Sequence, residues 1–393
     1  METLKLVQQY TDEMIAIRRH IHQNPETSNA EYKTTELIKE KLTEYGVEIV
    51  DIGLKTGVFG IIRGGKPGKN VAIREDIDAL PMPELTGLPF ASQVENVCHS
   101  CGHDIHTTVL LACAKVLSEI KDELCGNVLL VFQPAEEGGY GAKQFVDCKF
   151  HEVLKPDVFV GLHVSPRLEV GTIGLKKGAA SASSDVFNIK VIGKGGHGAH
   201  PENFVDPIAI SGYLISQLQT VVARESHPIH PAVFTIGSIH GGKAANIVPD
   251  YVEMTGTLRS LDPVYRERLK EAITRIAKSC AEGMRGSAEV TWIGGVPVLV
   301  NDEEAVDLVA AAAEKVIGKD KITMLKDPSL GSEDFSEMFP AIAPGHQFSL
   351  GTATPGDPNT QIGVHNAKNV FDERSIDTGS AVIIQFVRDY LSE

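Results

Sequence analysis

NVLLVFQPAEE, residues 127–137, is an apolar run that stops on a proline and two glutamates. Leucine, valine and phenylalanine without a break read as a buried strand, and the proline ends it. NVAIRED (70–76) and DVFVGLH (157–163) have the same build, an apolar strand that finishes on an acid or a histidine. Two helical stretches, roughly 3–22 and 30–45, come first, and longer amphipathic segments then separate the short apolar runs. That alternation predicts an α/β domain with a mostly parallel sheet. Open sheets of this kind bind ligands beyond the carboxyl ends of their strands, so Asp76, Glu136, Glu137 and His163 are expected at one rim.

The texture changes near residue 181, where GAASASSD leads into VFNIKVIGKGGHGAHPENFVDP, a strand followed by a glycine-rich turn. A helix (about 206–224), the strands AVFTIGSIHGG and EMTGTLRS, a helix (about 263–281) and the strand AEVTWIGG follow. Strands with only two helices among them suit a small α+β sandwich. Helical EEAVDLVAAAAEKVIG, strand-like HQFSLG and helical SIDTGSAVIIQFVRDYL then return to the earlier style. The predicted organisation is a discontinuous first domain, 1–180 and 295–393, with a second domain, 181–294, inserted in it.

The chain has 393 residues, 42% hydrophobic and 23% charged, which is ordinary for a globular protein with large cores. Its 37 Lys and Arg stand against 52 Asp and Glu, a net charge of −15 with no basic run, so nucleic acid is not an expected partner. METLKLVQQYTDEMIAIRRH breaks its apolar residues with charges and lacks the core of a signal peptide. No apolar stretch is long enough to span a bilayer, so neither a membrane nor a disulfide framework is expected, and the protein reads as cytoplasmic. Cys113 and Cys280 read as small buried apolar residues.

VCHSCGHDIHTT, residues 97–108, is where two of the six cysteines and three of the fourteen histidines fall. A redox C-x-x-C pair needs no acidic or histidine partners, and a structural zinc site needs a second ligand pair that does not follow in the chain. The third reading is a catalytic metal centre with distant ligands. Cys101-x-His103 places a thiolate and an imidazole two residues apart, and Asp104 is expected to hold the ring nitrogen of His103 that faces away from the metal. Adjacent Glu136 and Glu137 leave an irregular turn in different directions, which allows one to bind metal and the other to face a bound water.

REDIDALP (74–81), CHSCGHDIHT (98–107), VFQPAEEGGYGA (131–142), GLHVSP (161–166), GKGGHGAHPENFVDPI (193–208), NIVPD (246–250), GTLRS (256–260), GSEDF (331–335) and HNAKNVFDE (365–373) resemble the ordered motifs of the M20 metallopeptidase superfamily. The likeness is to its amidohydrolase branch, which includes aminoacylases, hippurate hydrolases and auxin-conjugate hydrolases. It implies a mostly parallel α/β catalytic domain with a dinuclear metal centre and an inserted α+β lid or dimerisation domain. Two divalent ions per subunit, Mn2+ or Zn2+ with Co2+ or Ni2+ as alternatives, would be held by Cys101, His103, Glu137, His163 and His365. The resemblance further implies Glu136 as general base, His197 as oxyanion donor, and Asn246 with Arg259 as holders of a substrate carboxylate. The implied activity is amide hydrolysis of N-acyl amino acids by a homo-oligomer, dimer or tetramer, that pairs through the inserted domain. A dipeptidase or carboxypeptidase of the same superfamily, or a metal-binding protein without catalysis, are the alternatives. Cys98, Glu75, Glu202 and Ala367 depart from the common pattern, and none of them removes an implied ligand. His99, His106 and Asp78 read as packing or supporting residues, and His20, His22, His151, His227 and His230 as surface or loop histidines.

Overall fold

The computed structural model describes residues 2–138 and 140–392, so that Gly139 of VFQPAEEGGYGA lies outside the description. The chain divides into two compact units, the first made of Met1–Gly178, Val300–Asp327 and Asp334–Glu393, the second of Ala179–Leu299 and Pro328–Glu333.

The first unit is built on an eight-stranded sheet, in the order Glu48–Val50, Val58–Arg63, Cys125–Gln133, Lys66–Asp76, Val158–Glu169, Gly345–Ala353, Ile173–Leu175, Ile322–Met324. Its four long central strands run parallel to one another, and the strand flanking them on each side, Val58–Arg63 or Ile173–Leu175, pairs antiparallel with them. Parallel strands covered by crossover helices are apolar along their length, and Val128–Gln133 and Val71–Asp76 are indeed buried residue after residue. Neighbouring parallel strands finish at the same edge. Asp76, the PAEE turn and His163 therefore share a rim, as the three strand endings predicted.

Helices Thr11–Gln23, His103–Glu119, Glu303–Ile317 and Ser375–Tyr390 close one core with this sheet. His103–Glu119 is buried on almost every side and packs against both Thr11–Gln23 and Ser375–Tyr390. Cys113 lies inside that core, as its apolar surroundings in LLACAKVL suggested. The predicted N-terminal helix is two helices, Glu2–Gln8 and Thr11–Gln23. The break falls where Tyr10 donates back to Val7 O and the Thr11 hydroxyl leaves the helix to meet Asp377.

The second unit is an antiparallel four-stranded sheet, ordered Ala232–His240, Tyr251–Ser260, Ser184–Ile192, Ser287–Val296, with helices Pro207–Leu218 and Pro263–Gly283. Ser184–Ile192 alternates buried and partly exposed positions, and Phe187, Ile189 and Val191 meet Ile210, Leu214, Leu269 and Ile273 in a core of their own. Both helices start the same way. Asp206 and Asp262 accept from the first free backbone N–H groups, and a proline follows at the first helical position. The inserted region differs from the sequence expectation at 328–333. Ala182 donates to Ser329 O and Gly331 O, Ser329 donates to Ala180 O, and Arg259 donates to Leu330 O, which ties this segment to the second unit.

Candidate metal centre

Gly102 makes the centre of the Cys-x-His motif possible. It caps the helix His103–Glu119 at φ 85°, and a Cβ there would lie 2.5 Å from the Val164 side chain, so the turn between Cys101 and His103 accepts only glycine. The turn leaves the Cys101 sulfur inside the rim. Its Sγ lies 3.4 Å from His163 Nε2 and 3.2 Å from His365 Nε2. His365 Nε2 is in turn 3.1 Å from Glu137 Oε1.

Five side chains thus form two overlapping triads. Cys101, His103 and His163 bring one donor atom each within 4.8 Å of one another, and so do Cys101, Glu137 and His365. Cys101 belongs to both. Glu136 joins from the adjacent position, its Oε2 4.0 Å from His103 Nε2. The structure therefore brings together all five residues that resemblance implied as ligands, with Glu136 beside them.

The imidazoles are oriented from behind. His103 Nδ1 donates to Asp78 Oδ1 at 3.2 Å, which leaves Nε2 facing Cys101 and the glutamates with no hydrogen-bond partner among the described residues. His163 Nδ1 donates to Val164 O at 2.8 Å. The N–H of the same Val164 donates to His106 Nε2 at 3.0 Å, and His106 Nδ1 donates to Asp76 at 2.6 Å. Burial, opposed by Asp76, lowers the His106 pKa to about 4, so this ring stays neutral and serves as a relay of hydrogen bonds. Burial works against ionisation of Asp76 too, but His103, His106 and Arg74 outweigh it and hold its carboxyl well below the usual range.

Asp78 is the hub of the arrangement. Besides His103 it accepts from Ser28 Oγ at 2.6 Å and from the backbone N–H groups of Glu136 and Glu137 at 3.1 Å each. Ala135, just before them, sits at φ 52°. An L-residue in that left-handed region costs roughly 1–2 kcal/mol, so the bonds that follow must hold it there. His365 also has positive φ, 59°, and its N–H donates to Ser100 O, which joins the late loop to the Cys101 turn. Glu75, one of the departures from the common pattern, is fully buried and accepts from Leu162 N–H at 2.9 Å, next to His163.

The sequence profile of peptidase family M20/M25/M40 matches residues 72–389. The chain belongs to that family. It is 42% identical over 325 residues to the N-acetyl-L-cysteine deacetylase of Bacillus subtilis, covering 82% of this chain and 77% of the relative. It is 41% identical over 350 residues to thermostable carboxypeptidase 2 of Saccharolobus solfataricus, 88% of this chain and 87% of the relative. Among solved structures it resembles the YXEP protein of Bacillus subtilis, a dinuclear metal binding peptidase from the M20 family, with a TM-score of 0.84 and 34% identity over 98% of this chain and 99% of that one.

For this M20 hydrolase two expectations need correction. Asp104 does not touch the His103 ring. It forms an ion pair with Arg18 at 2.7 Å and meets His22 Nδ1 at 2.8 Å, because consecutive helical residues point about 100° apart. His22 is accordingly buried instead of lying on the surface.

His197, Asn246 and Arg259 belong to the second unit. His197 and Asn246 are neighbours on a two-stranded ribbon, where Gly198 N–H donates to Asn246 O at 2.9 Å. Arg259 lies on Tyr251–Ser260, with its guanidinium on Leu330 O at 2.8 Å. His197 Nδ1 accepts from Ala199 N–H at 3.1 Å, so the ring carries its proton on Nε2. Sequence reasoning missed Ser28 and Glu31, which sit in the loop NPETSNAE; the only available signal was acidic and hydroxyl residues clustered after a proline.

Proposed function

We propose that the chain hydrolyses the amide bond of N-acyl amino acids, releasing a carboxylate and a free amino acid, with Cys101, His103, Glu137, His163 and His365 holding two divalent ions. The observation that carries this reading is the sharing of Cys101 between two donor triads with Glu136 beside them. The donor set fits a metal pair. Burial pushes the Cys101 thiol well above its ordinary pKa, so ionised sulfur there requires a strong local positive charge. His103 Nε2, aimed into the same cluster, has no hydrogen-bond partner among the described residues. Thiolate and imidazole suit zinc, whereas the carboxylate also admits manganese, cobalt or nickel.

Bound ions supply polarisation of the scissile carbonyl and a more acidic water. The chain's own residues do the rest. Glu136 takes a proton from the attacking water and delivers it to the amide nitrogen as the C–N bond breaks. Glu137, whose Oε1 lies 3.1 Å from His365 Nε2, is the proposed ligand of the pair. His197, with its proton on Nε2, is the proposed donor to the oxyanion, and Asn246 with Arg259 the proposed holders of the substrate's α-carboxylate.

The carboxypeptidase relative supports a second reading with the same chemistry, in which a peptide's penultimate residue takes the place of the acyl group. Comparing kcat/KM for N-acetyl amino acids and N-blocked dipeptides separates the two. Glu136→Gln should abolish turnover and keep its metal, whereas Glu137→Gln should lose metal; the reverse pattern exchanges the roles.

A homo-oligomer formed through the second unit is part of the proposal. Its support is the edge strand Ala232–His240, which exposes Val233 and Ile239. Mixing His197→Ala and Glu136→Gln chains restores activity only if His197 serves a partner's centre. Six free thiols support a reducing, cytoplasmic compartment. Among the described residues no helix is long and apolar enough to cross a membrane.

A further inference from the structure

The turn that carries Glu136 and Glu137 is held by a residue the mechanism does not use. Ala135, Glu136 and Glu137 present three successive backbone N–H groups, and two buried carboxylates take all three. Asp78 takes the second and third. Glu31 takes the first, its Oε1 accepting from Ala135 N–H at 2.8 Å and from Asn29 N–H at 2.9 Å. Glu31 is wholly buried.

The support behind Glu31 is rigid. It immediately precedes the helix Tyr32–Glu44, and its carbonyl accepts from Thr35 N–H. Glu26 closes the same loop by accepting from the N–H groups of Lys33 and Thr34 at 3.1 and 2.8 Å. Ser28, between them, donates to Asp78. Ala135 needs such a hold, because its φ of 52° is a conformation that an L-residue rarely keeps unaided. A buried residue needed only for packing would be apolar; a carboxylate aimed at one strained peptide has a directional task.

We propose that Glu31 is a positioning residue for proton transfer: by fixing the Ala135 peptide it sets the directions in which Glu136 and Glu137 leave the chain. This rests on the roles given above to those two glutamates. Glu31 touches neither substrate nor metal and acts through the turn alone.

The test compares Glu31→Leu, which fills the space without an acceptor, with Glu31→Gln, which keeps a carbonyl oxygen. In metal-free protein, hydrogen exchange of the peptide Phe132–Gly138 should quicken about 10-fold or more in the leucine variant and stay near wild type in the glutamine variant. In Co2+-loaded protein the visible absorption spectrum should shift for leucine and not for glutamine. Turnover of an N-acetyl amino acid should fall about 100-fold in kcat for leucine, with KM little changed, and glutamine should restore it. Wild-type exchange and spectrum in the leucine variant would overturn the proposal, as would a glutamine variant as poor as leucine. If the leucine variant does not fold, Glu31→Asp, one methylene short, carries the same expectations and the same refutation. A wild-type chain that cleaves no acyl amino acid would sink the function instead, and leaves the exchange and Co2+ comparisons standing.

Discussion

Replacing Asp104 by asparagine distinguishes two roles for the acid next to His103. In the structure Asp104 is fully buried and lies 2.7 Å from Arg18 Nε, whose side chain is 1% exposed. Removing one partner of a buried pair typically costs about 3–5 kcal/mol, since the other charge is left in a medium that cannot solvate it. Arg18 keeps a second contact, Glu373 at 3.3 Å, and lies over the Phe90 ring, so the lower end, about 3 kcal/mol, is expected. At about 2–4 °C per kcal/mol for a domain of this size, calorimetry should record a melting point lower by about 6–12 °C. Arg18→Met should cost a similar amount. The double variant should lose less than the sum of the two by about 2 kcal/mol, the mark of a coupled pair. Metal affinity per folded molecule should hold in Asp104→Asn, because Asp104 does not reach His103. Asp78→Asn, by contrast, should weaken it about 10 to 100-fold. An Asp104→Asn protein with wild-type stability and weakened metal binding would refute this account and return Asp104 to the back of His103.

Three further outcomes are expected. His346 is fully buried, neither ring nitrogen has a hydrogen-bond partner among the described residues, and burial lowers its pKa from 6.5 to about 3. The unfolded chain therefore takes up the proton first, and stability falls as pH drops below about 6.5, by up to about 1.4 kcal/mol per unit. His346→Leu should remove about 2 kcal/mol of the loss between about pH 7 and pH 5, and denaturant melts at those two values check it. Gly102→Ala should weaken Co2+ binding and cost about 1–3 kcal/mol, because the residue holds φ 85° and its new Cβ meets Val164; titration with Co2+ reads this directly. Asp206→Ala should cost about 1 kcal/mol in the second unit by removing its helix cap, measured as a shift in that unit's melting with metal binding unchanged.

What was legible in the sequence follows from which interactions are local. Asp76, the PAEE turn and His163 could be placed at one rim because each ends an apolar run, and parallel strands deliver their ends to the same edge. Cys101 and His103 announced themselves by spacing. His365 had no such signal. It follows no strand, and its left-handed backbone is held by Ser100 O, a bond across most of the chain, so the residues marked it only as a late histidine and the resemblance implied it as a ligand. The role of Asp104 was misread for a related reason: adjacency in sequence suggests a shared face, and a helix denies it. Segment 328–333 joined the second unit through hydrogen bonds to 180–182 that composition does not encode.

The arrangement of the centre also bears on why so many buried acids surround it. His103, His163 and His365 all direct Nε2 toward the Cys101 and Glu137 donors. A histidine free to choose its tautomer, or a ring free to flip, would reach that state only part of the time. Here Asp78 fixes the first ring, and the path from Asp76 through His106 and the Val164 peptide fixes the second. The same Asp78 fixes the peptides of Glu136 and Glu137. One carboxylate therefore couples a proposed ligand to the proposed base, so displacing it disturbs metal binding and proton transfer together. Glu31 reaches the turn and its own loop at Asn29 but no imidazole of the centre. Variants at these two acids should consequently differ in kind: loss of the Asp78 charge loosens His103 as well as the turn, whereas loss of the Glu31 acceptor leaves His103 oriented and moves the glutamates alone.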